Sequence, residues 1–233
     1  MSRRSILSKA QKASRKNVFV MLSTLLFVGV VTDVSAITPQ EVMENALKVY
    51  EDIDNYKAIV QTYEADSMEA SGRIFQVQQP IISFNLFFRK PGEHVVGQIS
   101  KSRHGIFRVE VLSALRRLSE IELKLEAREV LLGQNCYVLA CTSPDEPDTL
   151  IKLWISPTDW TVQQFTLIMK SLTLANTQFK YPPGGKRRVR FLPVETRSFF
   201  PLSKKVLINR ITDYRVNTRL PSAVFEENNE QPR

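Results

Sequence analysis

Ten runs rich in aromatic and β-branched residues, punctuated by Pro and Gly turns, set the main limit on what this chain of 233 residues can become. They are NYKAIVQTYEAD (55–66), PIISFNLFFRK (80–90), EHVVGQIS (93–100), GIFRVEV (105–111), EIELKLEAREVL (120–131), CYVLACTS (136–143), LIKLWIS (150–156), TVQQFTLIM (161–169), KRRVRFLPVETRSFF (186–200) and SKKVLINRITDYRVN (203–217). Turn formers stand between them: Lys90-Pro91-Gly92, Gly133, Pro144 to Pro147, Pro157 and Pro182-Pro183-Gly184-Gly185. No strand-helix-strand alternation runs through the series, so a large antiparallel sheet is the economical reading. VLSALRRL (111–118) reads as a short helical interruption.

One helix precedes the strands. Thr38 can cap it, Pro39 suits its first position, and Glu41 completes a capping box. Val42, Ala46, Val49, Tyr50 and Ile53 then recur at helical spacing, with Met43 and Leu47 widening the stripe, so one long face needs an apolar surface to lie on. IISFNLFF (81–88) supplies one, because Ile82, Phe84, Leu86 and Phe88 alternate with Ile81, Ser83, Asn85 and Phe87. Ile81 and Phe87 leave the opposite face partly apolar too. Each face therefore needs a cover, either protein or a bound ligand.

The formal charge of +8 is mostly in the leader: residues 1–36 hold six basic residues and one acid. That leader has the parts of a secretory signal, with a basic start, the apolar run VFVMLSTLLFVGVV (18–31) and small residues at VSA (34–36), so cleavage after Ala36 is expected. The run is shorter than the roughly 20 residues a bilayer span requires. SRRSILSK (2–9) also resembles the twin-arginine export motif, which leaves the route open between the two export systems. The expected organisation is a signal peptide over 1–36, one domain over 37–226 and a polar tail over 227–233, giving a periplasmic or secreted protein.

Polar chemistry is sparse. No phosphate loop, nucleophile elbow, metal-binding helix or paired-carboxylate pattern is present, so no catalytic residue is expected. Two cysteines (Cys136, Cys141) and two histidines (His94, His104), none at ligand spacing, point to no metal and no cofactor. The cysteines are five apart, on opposite faces of a strand, which disfavours a bond between them. Between 180 and 219 eleven basic residues meet only Glu195 and Asp213. In an exported protein such a stretch suits an anionic membrane or an acidic partner better than nucleic acid, and Lys186, Arg187, Arg188 and Arg190 are its densest part.

The tail DYRVNTRLPSAVFE (213–226) resembles the C-terminal end of the outer-membrane lipoprotein carrier, or LolA-like, superfamily: a strand reaching Val216-Asn217, a polar turn with Pro221, and closure on Phe225. LIKLWISPTDWTVQQFTL (150–167) is similar to that superfamily's hairpin, and the amphipathic helix followed by NYKAIVQTY fits as well. The resemblance implies a mainly β, α+β fold: an antiparallel half-barrel with an N-terminal amphipathic helix and a helical lid. It implies a monomeric, non-enzymatic carrier holding acyl chains of a lipoprotein or lipid. Their wall would be Ile82, Phe84, Leu86 and Phe88 with Leu153, Ile155, Phe165 and Leu167 from the later hairpin, and Arg89 would hydrogen-bond the lid. The same fold also serves sensors, so the alternative is an envelope interaction module binding a protein partner or membrane through 180–219.

Overall fold

A computed structural model of the chain describes residues 37–66, 79–90, 92–97, 110–184 and 189–226, with backbone alone for 93–97. They belong to a compact unit that begins at Ile37. The leader, the expected cleavage site, most of the GIFRVEV run and the tail 227–233 lie outside the described residues.

Helix α1 (Pro39–Lys48) starts as its sequence dictates. The Glu41 N–H donates to Thr38 Oγ1 at 3.2 Å, and the Thr38 N–H donates back to Glu41 Oε2 at 2.7 Å. Those bonds, the backbone one first, hold the Glu41 carboxyl below its usual range. Val42, Met43 and Ala46 are buried, so the stripe read from the sequence is the face that docks. Helix α2 (Val111–Leu118) is the short interruption expected there, capped by Glu110, whose carboxylate accepts from the Ser113 N–H at 2.6 Å and the Leu112 N–H at 3.3 Å.

The strands are β1 (Asn55–Asp66), β2 (Ile82–Arg89), β3 (Glu93–Gly97), β4 (Glu122–Leu125), β5 (Glu129–Leu131), β6 (Gln134–Ser143), β7 (Glu146–Ile155), β8 (Val162–Met169), β9 (Leu172–Lys180), β10 (Glu195–Phe200) and β11 (Lys205–Val216), followed by a one-turn helix α3 (Ala223–Glu226). They form one antiparallel, unclosed, half-barrel-like sheet in the order β3-β2-β1-β11-β10-β9-β8-β7-β6-β4, with β5 also on β6. Neighbours in space are neighbours in sequence except where β4 pairs with β6 and where β1 meets β11, which joins the first and last strands within the sheet.

Several elements depart from the sequence reading. The first helix stops at Lys48, short of Val49, Tyr50 and Ile53 in its expected stripe, and of the described part of the run 186–200 only Glu195–Phe200 is strand. The run 120–131 is not one strand but two, β4 and β5, both paired to β6 and separated at 126–128. The sequence reading also passes over β9, because its hairpin with β8 turns through Lys170 and Ser171, both left-handed (φ 47° and 65°), without the Gly or Asn that normally marks such a turn.

Register defines the two faces. Phe88, Leu86 and Phe84 stand opposite Tyr56, Ala58 and Val60, and Leu139 opposite Leu153 opposite Phe165. These side chains join one cluster with Val42, Met43 and Ala46 of α1 and Leu112, Leu115 and Leu118 of α2. That is the inner face. On the outer face Cys136, Val138 and Trp154 pack with Leu131 of β5, and the Trp154 Nε1–H donates to Glu129 Oε2 at 2.9 Å, which explains why β5 folds back there.

The cysteines obey the same parity. Cys136 belongs to the outer cluster and Cys141 to the inner one, and both are free and buried. Burial raises both thiols above their ordinary range, Cys141 to about 12. Both should therefore stay unmodified by a thiol reagent at pH 8 in the native protein and react once it is unfolded in urea. A thiol count by mass spectrometry checks this, and labelling of the native protein would contradict it.

Candidate functional site

The inner face is where the expected wall residues meet. Alternation along β2 turns Ile82, Phe84, Leu86 and Phe88 inward, all nearly inaccessible, while Ile81 and Ser83 are exposed. Leu153, Ile155 and Phe165 are buried in the same cluster and Leu167 is half-buried against it. All eight thus lie on one surface, in two walls. The cover over β2 is protein: α1 and α2 share its cluster.

Between the walls lies a patch that the sequence reading does not single out. Thr62, Asn209 and Thr196 stand directly opposite one another on β1, β11 and β10, and Ser198 stands opposite Thr177 on β10 and β9. All five are buried. The Thr62 hydroxyl donates to Asn209 Oδ1 at 2.7 Å, the Asn209 amide donates to Thr196 Oγ1 at 3.0 Å, and the Thr177 and Ser198 hydroxyls share a bond of 2.8 Å. Register flanks the patch with apolar groups: Ile82 faces Thr62 on one side, and Phe179 and Phe165 face Thr196 and Thr177 on the other. A buried polar donor left without a partner costs about 1–3 kcal/mol, so five polar side chains on an otherwise apolar surface need an explanation. Parity along RSFF, NTQF and INRI could have revealed them, once register placed the three strands side by side.

One end of the face is closed by tyrosines. The Tyr56 hydroxyl donates to Glu110 Oε1 at 2.5 Å, which ties β1 to the cap of α2, and Ser113 Oγ donates to the Gly92 carbonyl at 2.8 Å. Tyr214 and Tyr181 donate to the Pro193 and Val162 carbonyls at 2.8 and 2.7 Å. The Tyr50 hydroxyl, on a residue 1% exposed, makes no hydrogen bond of ordinary length among the described residues. Burial pushes all four phenols above their ordinary range, and Glu110 adds to the effect at Tyr50, Tyr56 and Tyr214. None of the four phenols ionises near neutral pH.

Arg89 lies with its guanidinium carbon 4.2 Å from the centroid of the Phe225 ring, so it braces α3 at the edge of β2. Arg190 covers Phe191 at 4.2 Å, while Lys186, Arg187 and Arg188 lie outside the described residues. Elsewhere in 180–219 acids answer the bases: Arg197 and Arg210 both reach Glu195 (2.8 and 3.6 Å), Arg215 reaches Asp213 (3.3 Å), and Lys205 pairs with Glu64. An outer groove of about 430 Å³ presents Lys180 and Arg197 beside Glu195 and Asp159, and so has mixed charge. The local field is smaller than the residue count suggests. His104 and the side chain of His94 also lie outside the described residues. Among the described residues no three His, Cys, Asp or Glu side chains come together. Among them, too, no helix is long and apolar enough to cross a membrane.

No protein-family model matches the sequence, and no curated protein matches it. Solved structures do match. A LolA-superfamily protein from Nitrosomonas europaea aligns at 15% identity and TM-score 0.57, covering 82% of this chain and 98% of that one. The fold is LolA-like. A domain described as an outer-membrane lipoprotein-sorting protein, from Vibrio parahaemolyticus, aligns at 12% identity and TM-score 0.56 over 82% of this chain and 97% of that one. A DUF1329 family protein from Desulfovibrio piger does so at 12% and 0.55 over 84% and all of that chain. The LolA-like half-barrel expected from the tail and hairpin motifs is the observed architecture, at an identity where only backbone topology is shared.

Proposed function

We propose that this protein is an exported binding protein that works without a cofactor: it holds acyl chains of a lipid or lipoprotein against the inner face of its LolA-like sheet, without covalent chemistry, in the periplasm. The observation that carries this reading is the cover. Two apolar walls, one on β2 and β1 and one on β6 to β8, belong to one buried cluster that takes in two short helices, one of them, α2, only eight residues long.

Energetics make α2 exchangeable for a lipid. It buries Val111, Leu112, Leu115 and Leu118, each worth about 1.5–3 kcal/mol, or roughly 6–12 kcal/mol together. An acyl chain gains about 0.8 kcal/mol per buried CH₂. A chain of roughly 8–15 methylenes therefore offsets the displacement of α2 from the same surface. Free energies this closely matched allow both loading and release, as a carrier requires.

The test is direct. The full chain, expressed with its own leader and recovered natively from cells, is extracted for lipid mass spectrometry and titrated with a fluorescent fatty acid. Bound lipid near one equivalent, or saturable and displaceable fluorescence, is expected. A lipid-free protein that binds no probe would overturn the reading and leave the inner face as dry core.

A further inference from the structure

We propose that the polar patch of Thr62, Asn209, Thr196, Thr177 and Ser198 receives the carbonyl oxygens of ester- or amide-linked acyl chains, which makes the preferred ligand a neutral diacyl linkage rather than a bare hydrocarbon or an anionic headgroup. The inference rests on the acyl-binding reading of the inner face and adds to it the chemistry that the face selects.

Hydrogen-bond capacity points to an acceptor. Asn209 uses its carbonyl oxygen toward Thr62 and one amide hydrogen toward Thr196, which leaves its second amide hydrogen without a partner among the described residues. Thr196 accepts that bond, so its own hydroxyl hydrogen remains, and one of the two hydroxyl hydrogens in the Thr177 and Ser198 pair remains as well. Three donors thus face the interior of a surface where an apolar occupant would satisfy none of them. Each carbonyl oxygen, with two lone pairs, satisfies one or two.

Position points to two chains. Directly opposed residues place the patch across β1, β11, β10 and β9, with neighbouring strands about 4.8 Å apart. On one side is the β2 wall of Ile82, Phe84, Leu86 and Phe88; on the other is the wall built by Phe179, Phe165 and Leu153. A ligand whose chains diverge from a pair of linked carbonyls can lay one chain on each wall with its polar joint at the centre. Charge points to a neutral joint, since the patch and its inner-face neighbours Ala175, Phe179, Leu207 and Ile211 carry no ionisable group, and Lys205, which shares that face at the start of β11, is paired with Glu64. An anionic headgroup at the patch would be buried without an adjoining counter-charge, because Lys205 is already answered by Glu64.

The experiment compares a diacylglycerol with the dialkylglycerol ether of the same chain length, each competing for the full chain against a fluorescent fatty acid. The ether keeps the shape and apolar surface and lacks the carbonyls. The wild type is expected to bind the ester at least about tenfold more tightly. The double variant Asn209→Leu, Thr196→Val is expected to bring the two affinities within about twofold by weakening the ester alone. Circular dichroism and a thermal melt check that the variant folds, and Ser198→Ala, a smaller change, should lower the preference in part if the double variant does not. Equal affinities in the wild type, or a preference that survives in a folded variant, would overturn the inference while leaving the acyl-binding reading standing. No binding of either lipid or of the fatty acid would overturn that reading, and the inference with it.

Discussion

Phe88→Ala should lower the unfolding free energy by about 3–5 kcal/mol, the range for deleting a fully buried aromatic ring. Phe88 is 0% exposed and stacks on Tyr56 with ring centroids 5.1 Å apart. Tyr56 in turn holds Glu110 at the cap of α2, so the cavity opens where β1, β2 and the α2 cap meet. A domain of this size has about 5–15 kcal/mol of stability in all, which makes the loss a large fraction of it. Urea unfolding followed by circular dichroism checks the value, with a lower midpoint and an unchanged slope expected. A loss under about 1 kcal/mol would show that the ring is not packed as the inner cluster requires. A charge on this face should be worse still. Phe84 and Leu86 are each only 4% exposed, and an ionised side chain there would be buried without a partner. Probes of lipid binding on β2 are therefore better made with changes that conserve volume.

Asn217→Ala should cost roughly 3–5 kcal/mol although the residue is only half-buried. Its side-chain oxygen accepts from the Asp54 and Asn55 N–H groups at 2.8 and 3.3 Å, and its amide nitrogen donates to the Asp52 carbonyl at 2.7 Å. Its backbone is left-handed, with φ 53°, which alanine tolerates poorly. The one side chain thus ties the end of β11 to the loop that leads from α1 into β1, across more than 160 residues of sequence. Asn217→Gly separates the two causes, because glycine takes the left-handed backbone freely but makes none of the bonds. It should lose about 1–2 kcal/mol less than the alanine variant. Equal losses in thermal melts of the two variants would mean that the backbone contributes nothing.

How much of this was legible from residues depended on whether the signal was local. The capping box at Thr38 and Glu41 and the alternation of β2 are written within a few residues, so α1 and the inward face of Ile82, Phe84, Leu86 and Phe88 could be read directly. The Val216-Asn217 motif was legible as a resemblance, and its physical reason is the clamp on Asp52, Asp54 and Asn55. β9 was not legible, because Lys170 and Ser171 adopt left-handed backbone without a residue type that favours it, and hairpin pairing with β8 overrides the local preference. The break between β4 and β5 was hidden for a related reason. EIELKLEAREVL has strand character throughout, and pairing to β6 decides where it is interrupted.

The polar patch shows the boundary most clearly. Thr62, Thr177, Thr196, Ser198 and Asn209 are unremarkable polar residues in four separate strands, and each alone suits an exposed position. Sequence by itself determined the strand-rich class, the amphipathic helix, the opposite facing of the cysteines and the inward side of β2, because periodicity of two or 3.6 residues is a property of the local chain. Only the tertiary structure decided that β1 meets β11, that the two apolar walls share one face, and that the five polar side chains lie together between them. Those outcomes depend on strand order and register, and both are chosen by which distant surfaces can be buried together, a choice that no short stretch of sequence contains.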